Sequence, residues 1–407
     1  MMLRGRPERI PLIAAAAFVA GCFVMTLWNL GVGAFFPRFS IRSSTQLYGM
    51  TQAAPAPVTL AAIMSGEAQT AFSRRIGTSL LIYPSAVRAK NQIEYSLFDV
   101  SGASSVAFGR DKRLYEWAYV DEYCARSGAA DARALADWGD KIRDIQDYAA
   151  SHGKAFLYVI TPSKAAVYPE YLPDRPCASR LRGTTTKLPA YERALDERGI
   201  HYLDGSGLLA GEREHHAIEL FPRGGTHWNA LGAGLAAREV VAILKRQQPL
   251  LDLTNISTAW TQSREPQGTD RDLLNMLNLY WPDADYPVPT IKYAAREPGQ
   301  SCRPAQIMEV GGSFLEQINA ALLQSGCAPR ISYWFYWDRL HMSFAGKDRE
   351  FAPPRDEDRL ADLAGSDVIL LEENEMNIGE TDHLKALHAL ILSSTRISSV
   401  SGTAIAR

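Results

Sequence analysis

Short apolar runs alternate with amphipathic helical stretches through most of this chain, and the alternation limits the folds open to it. Ala132 to His152 carries apolar residues at helical spacing, and Ala155 to Ile160 follows as a continuous apolar run of strand length. Similar runs recur at Ile307 to Val310, Ile331 to Trp337 and Asp367 to Glu372. Buried strands that alternate with helices form parallel sheets covered on both faces. We therefore predict an α/β protein, a three-layer α/β/α sandwich with a mainly parallel sheet.

The N-terminal segment predicts a membrane anchor. Three arginines lie within Met1 to Arg9, and no charged residue occurs from Ile10 to Pro37. At about 1.5 Å per residue, a helix over this run exceeds the roughly 30 Å of a bilayer's apolar core. Arginines ahead of the span place the N-terminus in the cytoplasm. We predict a cytoplasmic segment at 1–9, a transmembrane signal anchor at 10–36, an Ala-Pro stem at 37–57 and a periplasmic domain at 58–407.

Two other interpretations of the N-terminal segment stay open. Val19-Ala20-Gly21-Cys22 resembles a lipoprotein cleavage box, which would lipidate Cys22. A cleaved signal peptide would free the domain from the membrane. The apolar stretch continues well past Cys22 and is longer than a signal peptide requires. An uncleaved anchor is therefore the primary prediction.

Four of the five cysteines would lie in an oxidising compartment, where disulfides form. Three pairings of these four are possible. Cys302 begins the strand that ends near Val310, and Cys327 ends the helix that follows it. A strand and its return helix bring those two ends to the same edge of a sheet. We predict Cys302–Cys327, which leaves Cys124–Cys177.

Charge and ligand spacing exclude several classes of function. The formal net charge is −2 and no basic stripe occurs, so there is no electrostatic basis for binding nucleic acid. No cysteine or histidine cluster has the spacing of a zinc site. We predict neither a metal nor another cofactor. The polar stretch from Pro249 to Gly299 is predicted to pack over the site described next.

A histidine and a serine are the candidate catalytic residues. His227 follows a glycine-rich turn, Gly224-Gly225-Thr226, just before a helix that opens at Asn229. Ser313 follows two glycines where an apolar strand turns into a helix, a layout that exposes a hydroxyl beside backbone N–H groups. Taken singly, they are typical of a surface histidine and a helix N-cap. Together they predict a nucleophile and its general base.

These motifs stand in the order found in a known family. Pro162-Ser163-Lys164, Val167-Tyr168-Pro169-Glu170, Gly225-Thr226-His227-Trp228, Gly311-Gly312-Ser313-Phe314 and Glu372-Glu373-Asn374-Glu375-Met376-Asn377 follow one another along the chain. Over about residues 58 to 395 the chain resembles the alginate O-acetyltransferase family (AlgJ/AlgX-like), which has an SGNH-hydrolase-like domain. The resemblance implies transfer of acetyl groups to an exported, alginate-like or other exopolysaccharide through an acetyl-serine intermediate.

The resemblance also implies partners and a location. An acetyl donor protein of the multipass membrane O-acyltransferase (MBOAT) family and an exopolysaccharide synthesis and export complex would act with a periplasmic domain anchored in the bacterial inner membrane. Lys164, Tyr168, Trp228 and Asn374 are the candidate substrate-binding residues. Lys164 and Tyr168 follow the carboxyl end of a strand, where open α/β sheets bind ligands.

Two glycines depart from the family pattern. Gly225 stands where the family has the aspartate that orients the histidine, and Gly312 stands where related hydrolases have an aspartate before the serine. Removing the orienting carboxylate from a triad lowers turnover on the order of ten-thousand-fold. Either another acid, such as Glu309, Asp204 or Glu375, has taken over this role, or the protein is a degenerate relative that binds polysaccharide or scaffolds the acetylation machinery. A carbohydrate acetylesterase, with water as the acceptor, is a further alternative.

Overall fold

The computed structural model describes residues 10–33, 35–36, 38, 47–49, 59–80, 82–125, 131–173, 187–292, 302–342, 349–379 and 381–404. The described residues form two compact units, one within Met1–Ser104 and Leu274–Asp283, the other within Ser105–Leu273 and Ala284–Arg407. The sheet-bearing unit begins at Ser105, and the bounds 58–407 for a periplasmic domain stay a prediction. The predicted cytoplasmic segment, residues 1–9, and most of the predicted stem lie outside the described residues.

The first unit consists of helices. They are α1 (Ile10–Trp28), which continues as a short π-helix (Asn29–Gly33), α2 (Leu60–Met64), α3 (Glu67–Ser79) and α4 (Tyr83–Phe98). The Asn91 side chain on α4 donates to Leu277 O at 2.8 Å, and Gln92 Oε1 accepts from the Trp281 N–H at 2.9 Å. These bonds explain why α4 groups with residues 274–283. No helix among the described residues combines the length and apolarity needed to cross a membrane. The anchor at 10–36 stays a prediction.

The second unit carries all the strands among the described residues. They are β1 (Val106–Phe108), β2 (Leu114–Glu116), β3 (Ala155–Thr161), β4 (Tyr202–Asp204), β5 (Trp260–Ser263), β6 (Val288–Ile291), β7 (Gln306–Gly311), β8 (Arg330–Phe335), β9 (Asp338–Met342), β10 (Arg349–Ala352) and β11 (Val368–Asn374). Its helices are α5 (Trp117–Ala125), α6 (Ala132–Ser151), α7 (Lys164–Val167), α8 (Leu188–Glu197), α9 (Gly205–Glu212), α10 (Ala230–Gln247), α12 (Leu315–Leu323), α13 (Asp356–Gly365) and α14 (Asp382–Ala404). The short helix α11 (Asp272–Met276) begins in this unit and ends in the first.

The main sheet has seven strands in the order β10-β9-β8-β7-β11-β3-β4. Strands β8, β7, β11, β3 and β4 are parallel to one another, as the apolar runs predict. Strands β9 and β10 add an antiparallel edge that the sequence did not predict, so the sheet is mixed. The predicted strand Ile331 to Trp337 ends at Phe335. Tyr336 and Trp337 form the turn into β9, with φ values of 44° and 75°.

Helices cover both faces of the sheet, which confirms the predicted layers. Successive residues of β3 point to opposite faces and are all buried. On one face Leu157 and Val159 belong to a core shared with α10 and α12. On the other, Phe156 and Tyr158 belong to a core shared with α6, α8 and α14. A strand buried on both faces must be apolar throughout, which is why β3 has no polar alternation.

The cysteines follow the predicted pairing where the structure describes them. Cys302 and Cys327 form a disulfide with a Cα–Cα distance of 5.9 Å. Cys124 is disulfide-bonded, and Cys177 lies outside the described residues. Cys22 is free.

Candidate active site

The turn that carries Ser313 contains two glycines, and other parts of the chain lie close to both of them. Ser313 follows Gly312 where β7 gives way to α12. The Gly312 N–H donates to Glu372 Oε2 at 2.6 Å, and a Cβ on Gly311 would lie 2.7 Å from that same oxygen. A Cβ on Gly312 would lie 2.7 Å from Tyr336 Oη. A larger residue at this position would require the Tyr336 side chain to shift.

His227 lies directly before α10, and its neighbours fix it. Asn229 caps the helix, its Oδ1 accepting from two N–H groups of the first turn, each at 3.1 Å. The Trp228 side chain is fully buried, and its Nε1 donates to Phe314 O at 3.1 Å. The His227 ring packs 4.8 Å from the Phe314 ring, and its Nε2 lies 2.8 Å from Ser313 Oγ. The structure thus brings the two predicted residues within hydrogen-bond distance.

Asp272 lies on the far side of the imidazole. Its Oδ2 is 2.5 Å from His227 Nδ1. Its Oδ1 accepts from the backbone N–H groups of Thr226 and Leu273, at 2.9 and 2.7 Å. The Asp272 side chain is 17% exposed and that of His227 15%. A continuous chain of hydrogen bonds therefore runs from Ser313 through His227 to a carboxylate that the sequence analysis did not identify.

Because Gly225 has no side chain, the segment that carries Asp272 can pass directly beside it. A Cβ on Gly225 would lie 2.2 Å from Thr269 O and 3.2 Å from the Asp270 carbonyl carbon. Only a residue without a side chain admits that backbone so close. The family aspartate is missing at 225 because another segment occupies its place, and that segment supplies the acid. A glycine where an acid is expected, together with the acid-rich polar stretch Gly268-Thr269-Asp270-Arg271-Asp272, is the signal that could have found it.

None of the three acids proposed from sequence contacts His227. Glu309 is fully buried, and neither of its carboxylate oxygens has a hydrogen-bond partner among the described residues. Asp204 caps α9 through its side chain. Glu375 accepts from the Ser163 N–H at 2.7 Å and from the Ser206 hydroxyl at 2.6 Å. The proposal that one of these acids orients the histidine is therefore wrong.

Lys164 is an interior residue and not a surface contact for substrate. It is 3% exposed. Burial lowers the pKa of its ammonium group to about 7, whereas the negative charges of Glu219 and Asp272 favour the charged form. Its Nζ donates to the carbonyl oxygens of Leu114, Pro222, Arg223 and Gly225 at distances from 2.5 to 3.1 Å. Lys164 therefore holds the loop that leads to His227.

The other predicted substrate-binding residues are also engaged by the protein itself. The Tyr168 hydroxyl accepts from the Leu220 N–H at 2.9 Å, and the residue is 5% exposed. Trp228 has no exposed surface. The Asn374 side chain donates to Pro162 O at 3.1 Å and is buried. These residues shape the site from beneath, and the predicted contacts with substrate are not supported.

Tyr336 is the exposed aromatic residue beside the serine. Burial, followed by the Glu372 carboxylate, raises the pKa of its phenol, while hydrogen bonding with the side chain and backbone N–H of Ser313 acts in the opposite direction. Tyr336 and Trp337 both have a left-handed backbone conformation. For residues with bulky side chains this conformation costs on the order of 1 to 3 kcal/mol each. Strain of this kind persists where the surrounding structure holds a residue at a site. The Gly312 N–H is bonded to Glu372 and the Ser313 N–H to Tyr336, which leaves the Tyr336 hydroxyl as a donor beside the nucleophile.

Fold and geometry together define a class of protein. A serine, histidine and aspartate joined by hydrogen bonds, with the serine on a turn at the carboxyl end of a parallel strand, form the site architecture of serine hydrolases and acyltransferases on α/β sheets. The family model of the SGNH hydrolase-like domain of acetyltransferase AlgX matches residues 106–314. The chain belongs to this family.

Several curated relatives are named as probable alginate O-acetylases. The probable alginate O-acetylase AlgJ of Pseudomonas aeruginosa is 28% identical over 208 residues, which cover 51% of this chain and 47% of the relative. AlgJ of Pseudomonas putida is 28% identical over 159 residues, covering 39% and 38%. AlgJ of Azotobacter vinelandii is 23% identical over 269 residues, covering 66% and 61%. The chain thus spans less than two thirds of the length of each of these relatives.

Solved structures show limited similarity. The O-acetyltransferase domain of Pseudomonas putida AlgJ is 20% identical with a TM-score of 0.44, and the match covers 71% of this chain and 99% of that one. Pseudomonas aeruginosa AlgX is 15% identical with a TM-score of 0.44, covering 70% and 66%.

Proposed function

We propose that this protein is an O-acetyltransferase that transfers acetyl groups to a hydroxyl of a polysaccharide through an acetyl-Ser313 intermediate. The observation that carries the proposal is the chain of hydrogen bonds from Ser313 Oγ to His227 Nε2 and from His227 Nδ1 to Asp272 Oδ2. Family membership and the relatives named alginate O-acetylases support acetyl transfer as the reaction.

The first half-reaction follows from this geometry. Asp272 accepts a hydrogen bond from the Nδ1–H of His227, so Nε2 carries the lone pair and accepts the Ser313 proton. Ser313 Oγ attacks the acetyl carbonyl carbon, and the Tyr336 hydroxyl would donate to the oxyanion. As the tetrahedral intermediate collapses, Nε2 returns the proton to the departing oxygen of the donor. The acetyl group is then an ester of Ser313.

The second half-reaction repeats these steps with a new nucleophile. His227 takes the proton of a sugar hydroxyl, whose oxygen attacks the acetyl-serine carbonyl. Ser313 Oγ leaves and recovers its proton from Nε2. Water in place of the sugar would make the protein an esterase, so the two activities differ in the acceptor alone.

The position of Asp272 bears on the alternative of a degenerate relative. That alternative rests on Gly225, which removes the family acid. Asp272 lies where such an acid is needed, so Gly225 no longer argues for loss of activity. An MBOAT acetyl donor, an exopolysaccharide synthesis complex and a periplasmic site on the inner membrane remain part of the proposal, supported by the family resemblance.

The test uses the full chain purified in detergent with a chromogenic acetyl ester. We expect acetyl release that is lost in Ser313→Ala and in His227→Ala, and an acetylated Ser313 peptide by mass spectrometry after rapid acid quenching. Addition of oligosaccharide acceptors then separates transfer from hydrolysis. A folded wild-type protein no more active than Ser313→Ala would refute the proposal.

A further inference from the structure

Three aromatic side chains form a strip that begins beside the nucleophile. The Tyr336 hydroxyl is hydrogen-bonded with Ser313. The Phe335 ring packs edge-on against the Tyr336 ring with ring centres 4.6 Å apart, and the Phe351 ring lies 5.7 Å from the Phe335 ring. Phe351 lies on β10, the edge strand of the main sheet. This aromatic strip, defined by Tyr336, Phe335 and Phe351, therefore leads from Ser313 to the edge of the sheet.

The antiparallel edge of the sheet explains why the far end of the strip is exposed. Phe351 is paired in register with Leu340 on β9, and Leu340 with Tyr333 on β8. Residues paired in this way project from the same face of a sheet. Tyr333 and Leu340 are 2% and 3% exposed within the core on that face, whereas Phe351 is 52% exposed. The core thus ends before β10, and the Phe351 ring is left facing solvent.

The turn into β9 holds the near end of the strip at the surface. Trp337 packs against Trp334 with ring centres 6.0 Å apart, and the Arg359 guanidinium lies 4.9 Å from the centre of the Trp337 ring. These contacts fix Trp337 against the core on the other face of the sheet. Tyr336, whose φ is 44°, is left 52% exposed. The turn therefore presents one aromatic ring to solvent beside the nucleophile.

The size of the strip excludes a protein partner. Specific protein interfaces bury about 1,200 Å² of total surface or more, with roughly 20 residues on each side. Among the described residues of the second unit, the exposed large apolar or aromatic side chains are Leu250, Tyr336, Phe351 and Leu392. Only Tyr336 and Phe351 of these belong to the strip. Two exposed rings fit a small occupant that is itself built of rings.

Sugar rings have the shape and polarity that such a strip can bind. The face of an aromatic ring carries negative potential, and burying it is favourable. A pyranose presents C–H groups on its faces and hydroxyl groups around its rim, so it can cover an aromatic ring without burying its hydroxyl groups. The Tyr336 and Phe351 ring centres are no more than about 10 Å apart, because Phe335 lies between them at 4.6 and 5.7 Å. A short oligosaccharide spans that distance.

We propose that the aromatic strip binds sugar rings of the acceptor glycan and so brings a hydroxyl of that glycan to Ser313. Tyr336 would lie against the sugar that reacts, and Phe351 against another sugar of the same chain. The proposal rests on the proposed function for the role of the glycan as acceptor. Binding to the strip does not depend on catalysis and is measured separately from it.

The test uses the full-length Ser313→Ala protein in detergent and saturation-transfer NMR. The probes are cellotetraose, mannotetraose, chitotetraose and tetramannuronate. Phe351→Leu removes the ring and keeps an apolar side chain, whereas Phe351→Trp keeps a ring. Phe98→Leu is the matched control, the same change at a phenylalanine of α4 that is 66% exposed. Thermal unfolding checks that all variants fold.

We expect at least one probe to bind, with the strongest saturation at its ring C–H protons. Phe351→Leu should weaken that binding about fivefold or more, whereas Phe351→Trp and Phe98→Leu should bind at least as tightly as the parent.

The proposal is overturned if no probe binds, if Phe351→Leu binds as the parent does, or if Phe351→Trp weakens binding as much as Phe351→Leu. It is also overturned if Phe351→Leu changes self-association in sedimentation and leaves glycan binding unaltered, since the strip would then be a contact between copies of the chain. Binding that meets the expectations in a protein whose Ser313 form lacks esterase activity would refute the proposed function and still support the strip. An active esterase that binds no probe would overturn the strip alone.

Discussion

Asp272→Asn is the substitution that tests the triad most directly. Asn keeps the shape of the side chain, and its Oδ1 still accepts from the N–H groups of Thr226 and Leu273. Its Nδ2 would then face His227 Nδ1 and donate to it. The imidazole proton would move to Nε2, which could no longer accept the proton of Ser313.

The size of the loss follows from two independent arguments. Carboxylate-to-amide changes in serine triads lower turnover by about ten-thousand-fold, equal to about 5 kcal/mol of transition-state stabilisation. An aspartate and an imidazolium about 3 Å apart at an effective dielectric constant of 20 attract each other by about 5 kcal/mol. The Asp272 and His227 side chains are 17% and 15% exposed, so solvent screens this pair only in part.

The assay is steady-state hydrolysis of a chromogenic acetyl ester over a range of pH. We expect kcat to fall about ten-thousand-fold with KM changed less than about threefold, since Asp272 does not touch the donor. Asp270→Asn is the matched control, because it makes the same chemical change two residues away at a side chain that does not contact His227. A loss below about tenfold in Asp272→Asn, or an equal loss in Asp270→Asn, would refute the assigned role of Asp272.

Three further perturbations follow from the structure. Restoring the family acid with Gly225→Asp should lower esterase turnover by about a hundredfold or more, because a Cβ within 2.2 Å of Thr269 O displaces the segment that carries Asp272; turnover above wild type would contradict this account. Burial raises the pKa of Glu309 from its ordinary value of 4.5 to about 8. The folded chain therefore keeps a proton that the unfolded chain releases, and this residue's contribution to stability, full below about pH 4.5, is lost as the pH rises through about 8. Glu309→Gln should remove this loss, on the order of a few kcal/mol, in urea unfolding at pH 5 and pH 8; an unchanged pH dependence would exclude a buried proton at Glu309. Replacing Cys302 and Cys327 with serine opens a link across 25 residues and should lower the free energy of unfolding by about 3.5 kcal/mol, measured by urea denaturation; an unchanged midpoint would show that the disulfide adds no stability.

The parallel part of the sheet could be predicted because its strands are buried on both faces. Such strands must be apolar along their whole length, and runs such as Ala155 to Ile160 are visible without knowledge of the fold. Strands β9 and β10 at the edge are short and contain charged residues such as Asp338 and Arg349, so nothing in their composition marks them as strands. The turn at Tyr336 could not be predicted for another reason. Tyr336 and Trp337 have positive φ values here, whereas aromatic residues usually favour strands.

The serine and histidine could be predicted because local sequence sets their surroundings. A glycine turn between a strand and a helix exposes Ser313, and the Asn229 cap fixes the residue two positions before it. Asp272 has no such local signature. It lies in a polar stretch with several acids, and only the packing of residues 268–272 against Gly225 places it beside the imidazole.

Both glycines that depart from the family pattern admit atoms from elsewhere in the chain. At Gly225 the space of the missing side chain is taken by the backbone at Thr269, and the segment that enters brings Asp272 to His227. At Gly312 the space is taken by the Tyr336 hydroxyl, which reaches Ser313. Each loss of an acid from the motif is thus matched by a functional group arriving from another segment. A triad is defined by where its members lie around the imidazole and not by their order in the chain. The absence of a motif residue therefore argues for inactivity only when the space it leaves is filled by nothing that can perform its role.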